Sequence, residues 1–194
     1  MALCGAHTAA GYLAYEAVRP AGPHRPGLLA AAVVLANGPD LDFVPGILLG
    51  RPGMFHRGVT HTVAAVIVVG CLAALVGWVS GRRRAVWGRT ALWASATYAS
   101  HLLLDFFTIA QRPPHGARFL WPFSDAYYLS PVTPLPEIVV DGSGRMAFFA
   151  SLVGPHTAPV WAQEIALLVL VVAAVHALRA VTAWPAWSGI AEEP

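Results

Sequence analysis

The chain has 194 residues, of which 57% are hydrophobic and only 11% are charged. Soluble domains carry roughly 25% charged residues, so this composition indicates a membrane protein. The formal net charge of +2 is too small to suggest binding to nucleic acid, and two cysteines imply no disulfide framework.

Two short apolar helices are predicted at the start of the chain, over residues 5–18 and 28–36. The sequence Asn37-Gly38-Pro39 is typical of a helix C-terminus and predicts the end of the second helix. At about 1.5 Å per residue, each helix reaches only about half to two thirds of the way across a bilayer. Such helices suit a site within the membrane or at its surface.

Three longer apolar segments follow, over residues 63–79, 90–110 and 164–184. Each is about long enough to cross a hydrocarbon core of roughly 30 Å. The second of them is interrupted by His101 and Asp105. The sequence therefore predicts an all-α fold, a polytopic membrane helix bundle with three full transmembrane helices plus two shorter N-terminal helices.

The remaining segments do not resemble transmembrane helices. Residues 111–163 are rich in proline and glycine and too polar to span a bilayer. We predict a non-cytoplasmic, irregular loop region there, with a short interfacial helix over residues 145–153. Residues 185–194 are predicted to form a tail, and the whole chain, 1–194, is expected to be a single membrane-embedded domain.

The arginines predict the orientation, because cytoplasmic loops of membrane proteins are enriched in Lys and Arg. A chain with five helices, a non-cytoplasmic N-terminus and a cytoplasmic C-terminus places seven arginines on the inner side and five on the outer side. The dense cluster 82–84 favours this orientation. The inner arginines are Arg19, Arg25, Arg82, Arg83, Arg84, Arg89 and Arg179, and the outer ones are Arg51, Arg57, Arg112, Arg118 and Arg145.

This orientation brings several ionisable residues to the outer end of the bundle, namely His7, Asp40, Asp42, His56, His61, His101 and Asp105. His101 and Asp105 are four residues apart and share one helical face. A carboxylate inside an apolar helix is costly unless it is paired, protonated or bound to a cation. Imidazole and carboxylate together suit zinc, manganese or iron better than magnesium. The pattern predicts a site for one or two divalent metal ions, with zinc as the first choice.

The segment HRGVTH contributes two of these histidines. A spacing of five residues turns about 140° on a continuous helix, so His56 and His61 cannot share one helical face. We therefore expect His56 in a loop, with Gly58 at the bend and Thr60 as the N-cap of the next helix.

Each candidate also has a structural interpretation. His7 could be a terminal surface residue, and Asp40 and Asp42 could cap a turn. His56 and His61 could be interfacial residues, and His101 with Asp105 could be a hydrogen-bonded pair between helices. The remaining histidines, which have no partner at a useful spacing, are not expected to be ligands; they are His24, His115, His156 and His176.

The order of these motifs resembles the YdjM family. The motifs are an early histidine, PDxD at 39–42, HRGxTHT at 56–62, HxxxD at 101–105 and LWPFS at 120–124, within the first 130 residues. Members of that family are bacterial inner-membrane proteins described as membrane-bound, metal-dependent hydrolases, some of them as LexA-binding. The resemblance implies metal-dependent hydrolysis at the inner membrane. A weaker similarity in outline to zinc-dependent phospholipase C points to phosphoesters.

Our first hypothesis is a membrane-embedded, metal-dependent hydrolase that acts on a phosphoester or lipid-like amphiphilic substrate through a metal-activated water. The expected metal ligands are His56, His61, His101 and Asp105, completed by Asp40 and His7. Asp40, Arg57 and Asp42 are the expected catalytic residues. Arg57 would pair with a phosphate or carboxylate of the substrate, and Asp42 would orient a ligand histidine.

Two other functions stay open. The first is a metal-binding or ion-translocating membrane protein without hydrolytic chemistry. The inner halves of the predicted helices are nearly all Ala, Val and Leu, which disfavours an ion pathway. The second is a regulatory membrane anchor that recruits a protein partner, for which the short cytoplasmic loops offer little surface. The expected partners are the lipid bilayer and an amphiphilic substrate.

Overall fold

The computed structural model describes residues 4–19, 23–111 and 113–182, which form helices joined by irregular loops. The helices are α1 (Cys4–Val18), α2 (Pro26–Asn37), α3 (Phe43–Leu48), α4 (Val63–Val79), α5 (Arg84–Phe106), α6 (Arg145–Leu152) and α7 (Ala158–Val181), with 3-10 helices at Gly38–Asp42 and Val59–His61. Strand pairing in this part of the chain is limited to two isolated bridges. The predicted all-α class is therefore confirmed. The predicted tail, 185–194, lies outside the described residues.

The predicted helix boundaries are corrected in three places. Asn37 ends α2 as expected, but the chain continues through a 3-10 helix into α3. Pro39 permits this continuation because it occupies the first turn of the 3-10 helix, where its missing N–H costs nothing. The fourth predicted segment, 90–110, is α5, which begins earlier at Arg84 and ends at Phe106. The short interfacial helix corresponds to α6.

The last apolar segment, predicted over 164–184, is α7, which begins earlier, at Ala158, inside the predicted loop region 111–163. Pro159 lies in its first turn, where proline is tolerated.

Two helical segments of the described chain could cross a membrane by length and composition, Pro26–Leu48 and Ala158–Val181. Val63–Val79 is apolar throughout but has only 17 residues. Three full transmembrane helices are therefore not confirmed. Many apolar side chains of α4 and α7 are nevertheless exposed, including Ile67, Val76, Val169 and Leu170. A large exposed apolar surface of this kind is typical of a protein that contacts lipid.

Helices α1 and α2 pack antiparallel at very short range. The side-chain amide of Asn37 donates to the Thr8 hydroxyl at 3.3 Å. One turn further along α1, a Cβ at Gly11 would lie 2.9 Å from the carbonyl oxygen of Ala32. Small residues at such crossings let two backbones approach closely, as they do in membrane helix pairs.

Helix α5 is central to the bundle, because it contacts α1, α2 and α4. The indole N–H of Trp93 donates to the carbonyl of Ala14 at 2.9 Å, while the ring of His101 stacks on His7 with 3.7 Å between ring centroids. Helix α5 therefore runs antiparallel to α1. Its last turns bring His101 and Asp105 into the interior of the bundle.

Helix α7 runs parallel to α1 and holds it at both ends. The buried carboxylate of Glu164 accepts hydrogen bonds from the backbone N–H groups of Gly5 and Ala6, at 3.0 and 3.2 Å. A carboxylate at a helix N-terminus is favoured by the helix dipole and by the otherwise unpaired N–H groups. At the other end, Nε of Arg179 lies 2.6 Å from Oε2 of Glu16.

This second contact corrects the prediction that the opposite half of the bundle is nearly all Ala, Val and Leu. Glu16 is buried and also pairs with Arg19, whose Nε lies 3.2 Å from Oε1 of Glu16. The Tyr12 hydroxyl lies 3.3 Å from Nε2 of His176 in the same region. A polar cluster therefore lies at each end of α1.

The contact between Glu164 and α1 predicts a stability effect. Glu164→Ala leaves two backbone N–H groups without their acceptor, and we expect it to destabilise the fold by about 1–3 kcal/mol. The thermal unfolding midpoint of detergent-purified protein should therefore fall. Gln163→Ala, at the exposed neighbouring position, is the matched control and should melt as the wild type does. Equal melting of the Glu164→Ala variant and the wild type would contradict this role of Glu164.

Candidate metal centre

The seven residues predicted to meet at one end of the bundle do lie together. Helix α1 supplies His7, the 3-10 helix at 38–42 supplies the two aspartates, and the segment 56–61 supplies two histidines. Helix α5 supplies His101 and Asp105 from its last turns. The side chains of His7, His61 and His101 are completely buried. We call this group the His/Asp cluster; its members are His7, Asp40, Asp42, His56, His61, His101 and Asp105.

Nitrogen and oxygen atoms in the centre of the cluster face one another without forming hydrogen bonds. Nε2 of His61 lies 3.5 Å from Oδ1 of Asp40 and 3.6 Å from Oδ2 of Asp105. Nε2 of His101 lies 3.6 Å from Oδ1 of Asp40, and Nε2 of His7 lies 3.7 Å from Oδ1 of Asp105. These distances exceed those of protein hydrogen bonds. They are near the separation of about 3.4 Å between ligand atoms that surround a tetrahedral zinc ion.

Burial makes these unpaired atoms significant. Among the described residues, no hydrogen-bond partner exists for Nε2 of His7, His56, His61 or His101, nor for either carboxylate oxygen of Asp40 and Asp105. Buried polar atoms of proteins nearly always have a partner. One or two divalent cations bound between the facing atoms of His7, Asp40, His61, His101 and Asp105 would supply the missing partners. The residues therefore fit the metal that the family resemblance implies.

The arrangement has room for one or two ions. Two groups have ligand atoms that all lie within 4.8 Å of one another: His7 with His101 and Asp105, and Asp40 with His56 and His61. Asp40 and Asp105 each also approach a histidine of the other group. Both carboxylates are therefore placed to bridge the two groups.

Hydrogen bonds outside the cluster's centre orient the histidine rings. Nδ1 of His101 lies 2.8 Å from the carbonyl oxygen of Ala36, which can only accept a hydrogen bond. Nδ1 of His101 therefore carries the proton, and the lone pair of Nε2 points to the centre. Asp42 acts in the same way on His61, because its Oδ2 lies 3.1 Å from Nδ1 of that ring. Partners of this kind fix the tautomer of metal-binding histidines.

Asp42 is itself held in place. Its Oδ1 lies 3.2 Å from Nδ1 of His56, and its Oδ2 accepts a hydrogen bond from the Thr60 hydroxyl at 3.0 Å. One buried carboxylate therefore contacts both histidines of the HRGVTH segment. This is the orienting position that the sequence predicts for Asp42.

The carboxylates make the cluster favourable for positive charge. Burial alone would lower the pKa of His61, but the adjacent carboxylates of Asp40 and Asp42 outweigh it and raise the pKa to about 9. Burial lowers the pKa of His56, against the opposing effect of Asp42. Two neighbouring imidazoles therefore differ in their affinity for a proton because one of them faces more negative charge.

Residues 1–185 match the family model described as YdjM inner membrane protein. The chain belongs to this family. It is also 33% identical over 111 residues to inner membrane protein YbcI of Escherichia coli (strain K12). That match covers 55% of this chain and 60% of the relative's length. No solved structure matches the chain.

Membership of the YdjM family confirms the resemblance and extends it past residue 130 to 185. The added region includes α6 and α7, which carry none of the motifs but include Glu164, the residue that holds the N-terminus of α1. The family description and the relative's name both specify an inner membrane protein. We therefore regard the chain as an inner membrane protein.

Arg57 lies beside the cluster but is not part of its centre. Its backbone is in the left-handed region with φ of 58°, which is uncommon for a residue other than glycine and often marks a functional site. Its Nη2 lies 3.8 Å from Oε1 of Glu137, and its Nη1 donates to the carbonyl of Gly116 at 3.5 Å. The residue predicted to pair with a substrate therefore already has a partner in this structure.

Thr60 was expected to cap helix α4, and this prediction is wrong. Thr62 is the N-cap, and its hydroxyl accepts a hydrogen bond from the N–H of Ala65 at 3.1 Å. Thr60 precedes the helix in a short 3-10 turn, where its hydroxyl reaches Asp42 instead. The helix begins two residues later than the capping argument required.

Several contributors to the cluster were missed in the sequence. Ala36 acts through its carbonyl oxygen, and Tyr98 donates to the carbonyl of Thr60 at 2.8 Å. Backbone groups leave no signal in a residue pattern. Tyr98 lies one turn before His101 on α5, a spacing that could have indicated a shared face. Three histidines that were not expected to be ligands have other partners: His24 with Tyr15, His115 with Ala110 and His176 with Tyr12.

The position of Asp42 predicts its effect on metal binding. Asp42→Asn keeps the shape of the side chain but removes the charge that orients His56 and His61. We expect the affinity for zinc to fall by about 10–100-fold, with the same number of ions bound at saturation. Competition with a chromophoric chelator measures this affinity. Asp141→Asn, at an exposed carboxylate outside the cluster, is the control. Equal affinities of the Asp42→Asn variant and the wild type would exclude an orienting role.

Proposed function

We propose that this inner membrane protein is a metal-dependent hydrolase of a phosphoester substrate. One observation carries the proposal: the buried, unpaired Nε2 atoms of three imidazoles lie 3.5–3.7 Å from unpaired oxygens of two carboxylates. The imidazoles are His7, His61 and His101, and the carboxylates are Asp40 and Asp105. A structural polar cluster would be expected to satisfy its own hydrogen bonds. A divalent cation bound there would supply a Lewis acid and lower the pKa of a water molecule.

Each residue of the cluster has a role in this proposal. The ligands are His7, Asp40, His56, His61, His101 and Asp105. Asp42 keeps His56 and His61 in the orientation for binding. Asp40, with 11% of its side chain exposed, is the most accessible carboxylate among the ligands. We assign to it the acceptance of a proton from the attacking water. Arg57 lies at the edge of the site, where its guanidinium favours an anionic substrate.

The position of the cluster supports a hydrolase because a substrate can reach it. His56, Asp42 and Thr60 lie both at the cluster and on the wall of an open cleft of about 830 Å³. His7, His61, His101 and Asp105 are buried, whereas Asp40 keeps 11% of its side chain exposed. Water and substrate would therefore arrive from one side, while the ligands on α1 and α5 stay dry.

A second group of polar residues, Glu16, Arg19 and Arg179, lies at the other end of α1. This group supports an alternative function, ion translocation. Glu16 lies nine residues after His7 on α1, which is about 13 Å along a helix axis. The guanidinium groups of Arg19 and Arg179 contact Glu16, however, and their positive charge disfavours a cation at that end. Zinc uptake by proteoliposomes would support this alternative against hydrolysis. A role as a regulatory anchor with a protein partner gains no specific support from the structure.

The proposed role of Asp40 makes a kinetic prediction. The purified protein should hydrolyse a chromogenic phosphoester such as bis(4-nitrophenyl) phosphate after loading with zinc or manganese, and chelation should abolish the activity. Asp40→Asn should lower kcat by about 10²–10⁴-fold, the usual contribution of a proton acceptor. Asp141→Asn serves again as the control.

Metal-loaded wild-type protein that hydrolyses neither phosphomonoesters nor phosphodiesters would contradict the proposed function. Full activity of Asp40→Asn with normal metal content would contradict only the assignment of Asp40 as the proton acceptor.

A further inference from the structure

A cleft opens beside the His/Asp cluster, between the segment 54–60 and the loop 114–127. We call it the outer cleft. Its volume of about 830 Å³ is sufficient for a drug-sized molecule. Asp42 and His56 form part of its wall, so an occupant of the cleft would lie next to the metal ligands.

Two guanidinium groups give the outer cleft a basic character. Arg57 and Arg118 both line it. Asp42, the carboxylate on its wall, is buried and hydrogen-bonded to His56 and Thr60. A planar guanidinium binds phosphate or carboxylate through two parallel hydrogen bonds. The cleft therefore suits an anion.

Arg118 is better placed than Arg57 to bind that anion. Its partner is Asp125, at 3.1 Å, and the side chain of Asp125 is 83% exposed. Exposed ion pairs contribute little to stability, so exchanging Asp125 for another anion costs little. The Arg57 guanidinium, by contrast, contacts Glu137, whose side chain is only 12% exposed.

Apolar side chains surround the opening of the same cleft. Leu41, Phe55 and Val59 line it and are exposed, by 60%, 40% and 61% respectively. Exposed apolar residues grouped around a polar site mark a ligand-binding or membrane-contacting surface. An inorganic anion would leave them uncovered, whereas a hydrocarbon chain attached to the anion would cover them.

We propose that the outer cleft binds an anionic phosphate amphiphile, with its phosphate on Arg118 and its hydrocarbon chain on Leu41, Phe55 and Val59. This inference rests on the proposed function in that it names the substrate class of the same site. Arg118 is a specificity-determining residue here, and binding of the amphiphile requires neither the metal nor hydrolysis.

The test uses dodecylphosphonate, which carries a phosphate-like headgroup but no hydrolysable ester. Its affinity for full-length protein in maltoside micelles is measured after treatment with chelator, with methylphosphonate as the probe that lacks the hydrocarbon chain. We expect the wild type to bind dodecylphosphonate more tightly than methylphosphonate by at least about 100-fold, given the transfer free energy of several CH₂ groups. Equal affinities for dodecylphosphonate and methylphosphonate would contradict the binding of an amphiphile and would indicate a site for small anions.

Five variants separate the contribution of the headgroup from that of the hydrocarbon chain. Arg118→Gln should weaken dodecylphosphonate binding by about tenfold or more, and Arg118→Lys should weaken it less. Arg145→Gln, at an exposed arginine outside the cleft, should leave binding unchanged. Val59→Asn should weaken dodecylphosphonate binding but not methylphosphonate binding, whereas Val132→Asn, at another exposed valine, should change neither.

Failure of this inference is distinguishable from failure of the proposed function. One outcome is that Arg118→Gln and Val59→Asn bind dodecylphosphonate as the wild type does and still hydrolyse bis(4-nitrophenyl) phosphate. This outcome would contradict the outer cleft as the substrate site but would not contradict the proposed hydrolase function. The opposite outcome is that dodecylphosphonate binding depends on Arg118 but the protein hydrolyses no phosphoester. This outcome would support the outer cleft as a binding site and contradict the proposed hydrolase function. Wild-type unfolding midpoints for both variants ensure that lost binding reflects lost contacts.

Discussion

The structure depends on one constraint, the burial of imidazole nitrogens and carboxylate oxygens that do not satisfy one another. At 3.5–3.7 Å these atoms are too far apart for hydrogen bonds. Burial of polar groups without partners is costly, and far more so for charged ones. A cation bound between them would remove this cost, because imidazole nitrogens and carboxylate oxygens are metal ligands. We therefore regard the His/Asp cluster as the feature that the surrounding helices exist to hold.

The contacts around the cluster are consistent with this view. Each helix that supplies a ligand is fixed close to that ligand: α1 by Glu164 at its N-terminus, and α5 by the hydrogen bond from His101 to Ala36. Asp42 contacts both histidines of the HRGVTH segment, of which His56 lies in a loop and His61 ends a short 3-10 helix. On the open side, the cluster meets a cleft with basic and apolar walls. In the proposed function, metal binding and substrate access would therefore use different surfaces of the same site.

The His/Asp cluster was predictable from the sequence because helical spacing and helix direction determine where its residues lie. The i, i+4 spacing of His101 and Asp105 fixes a shared face, and alternating helix directions bring both residues to the end where His7 lies. Contacts distant in sequence were not predictable, such as Glu164 with Gly5, which are 159 residues apart. The early start of α5 was missed because hydropathy marks the apolar part of a helix, whereas exposed arginines at 84 and 89 can extend its first turns. The joined helices α2 and α3 were missed because a proline ends an α-helix but also begins a new turn well.

The measurement that tests the central claim most directly is the metal content of detergent-purified protein by elemental mass spectrometry. Wild type is compared with the double variant His101→Ala, Asp105→Ala after supply and removal of excess zinc and manganese. The control is His115→Ala, Asp125→Ala, which removes the same residue types outside the cluster. We predict stoichiometric metal in wild type and control, and its loss from the cluster variant. Folded wild-type protein without metal, or equal metal in all three proteins, would contradict a metal site at the His/Asp cluster.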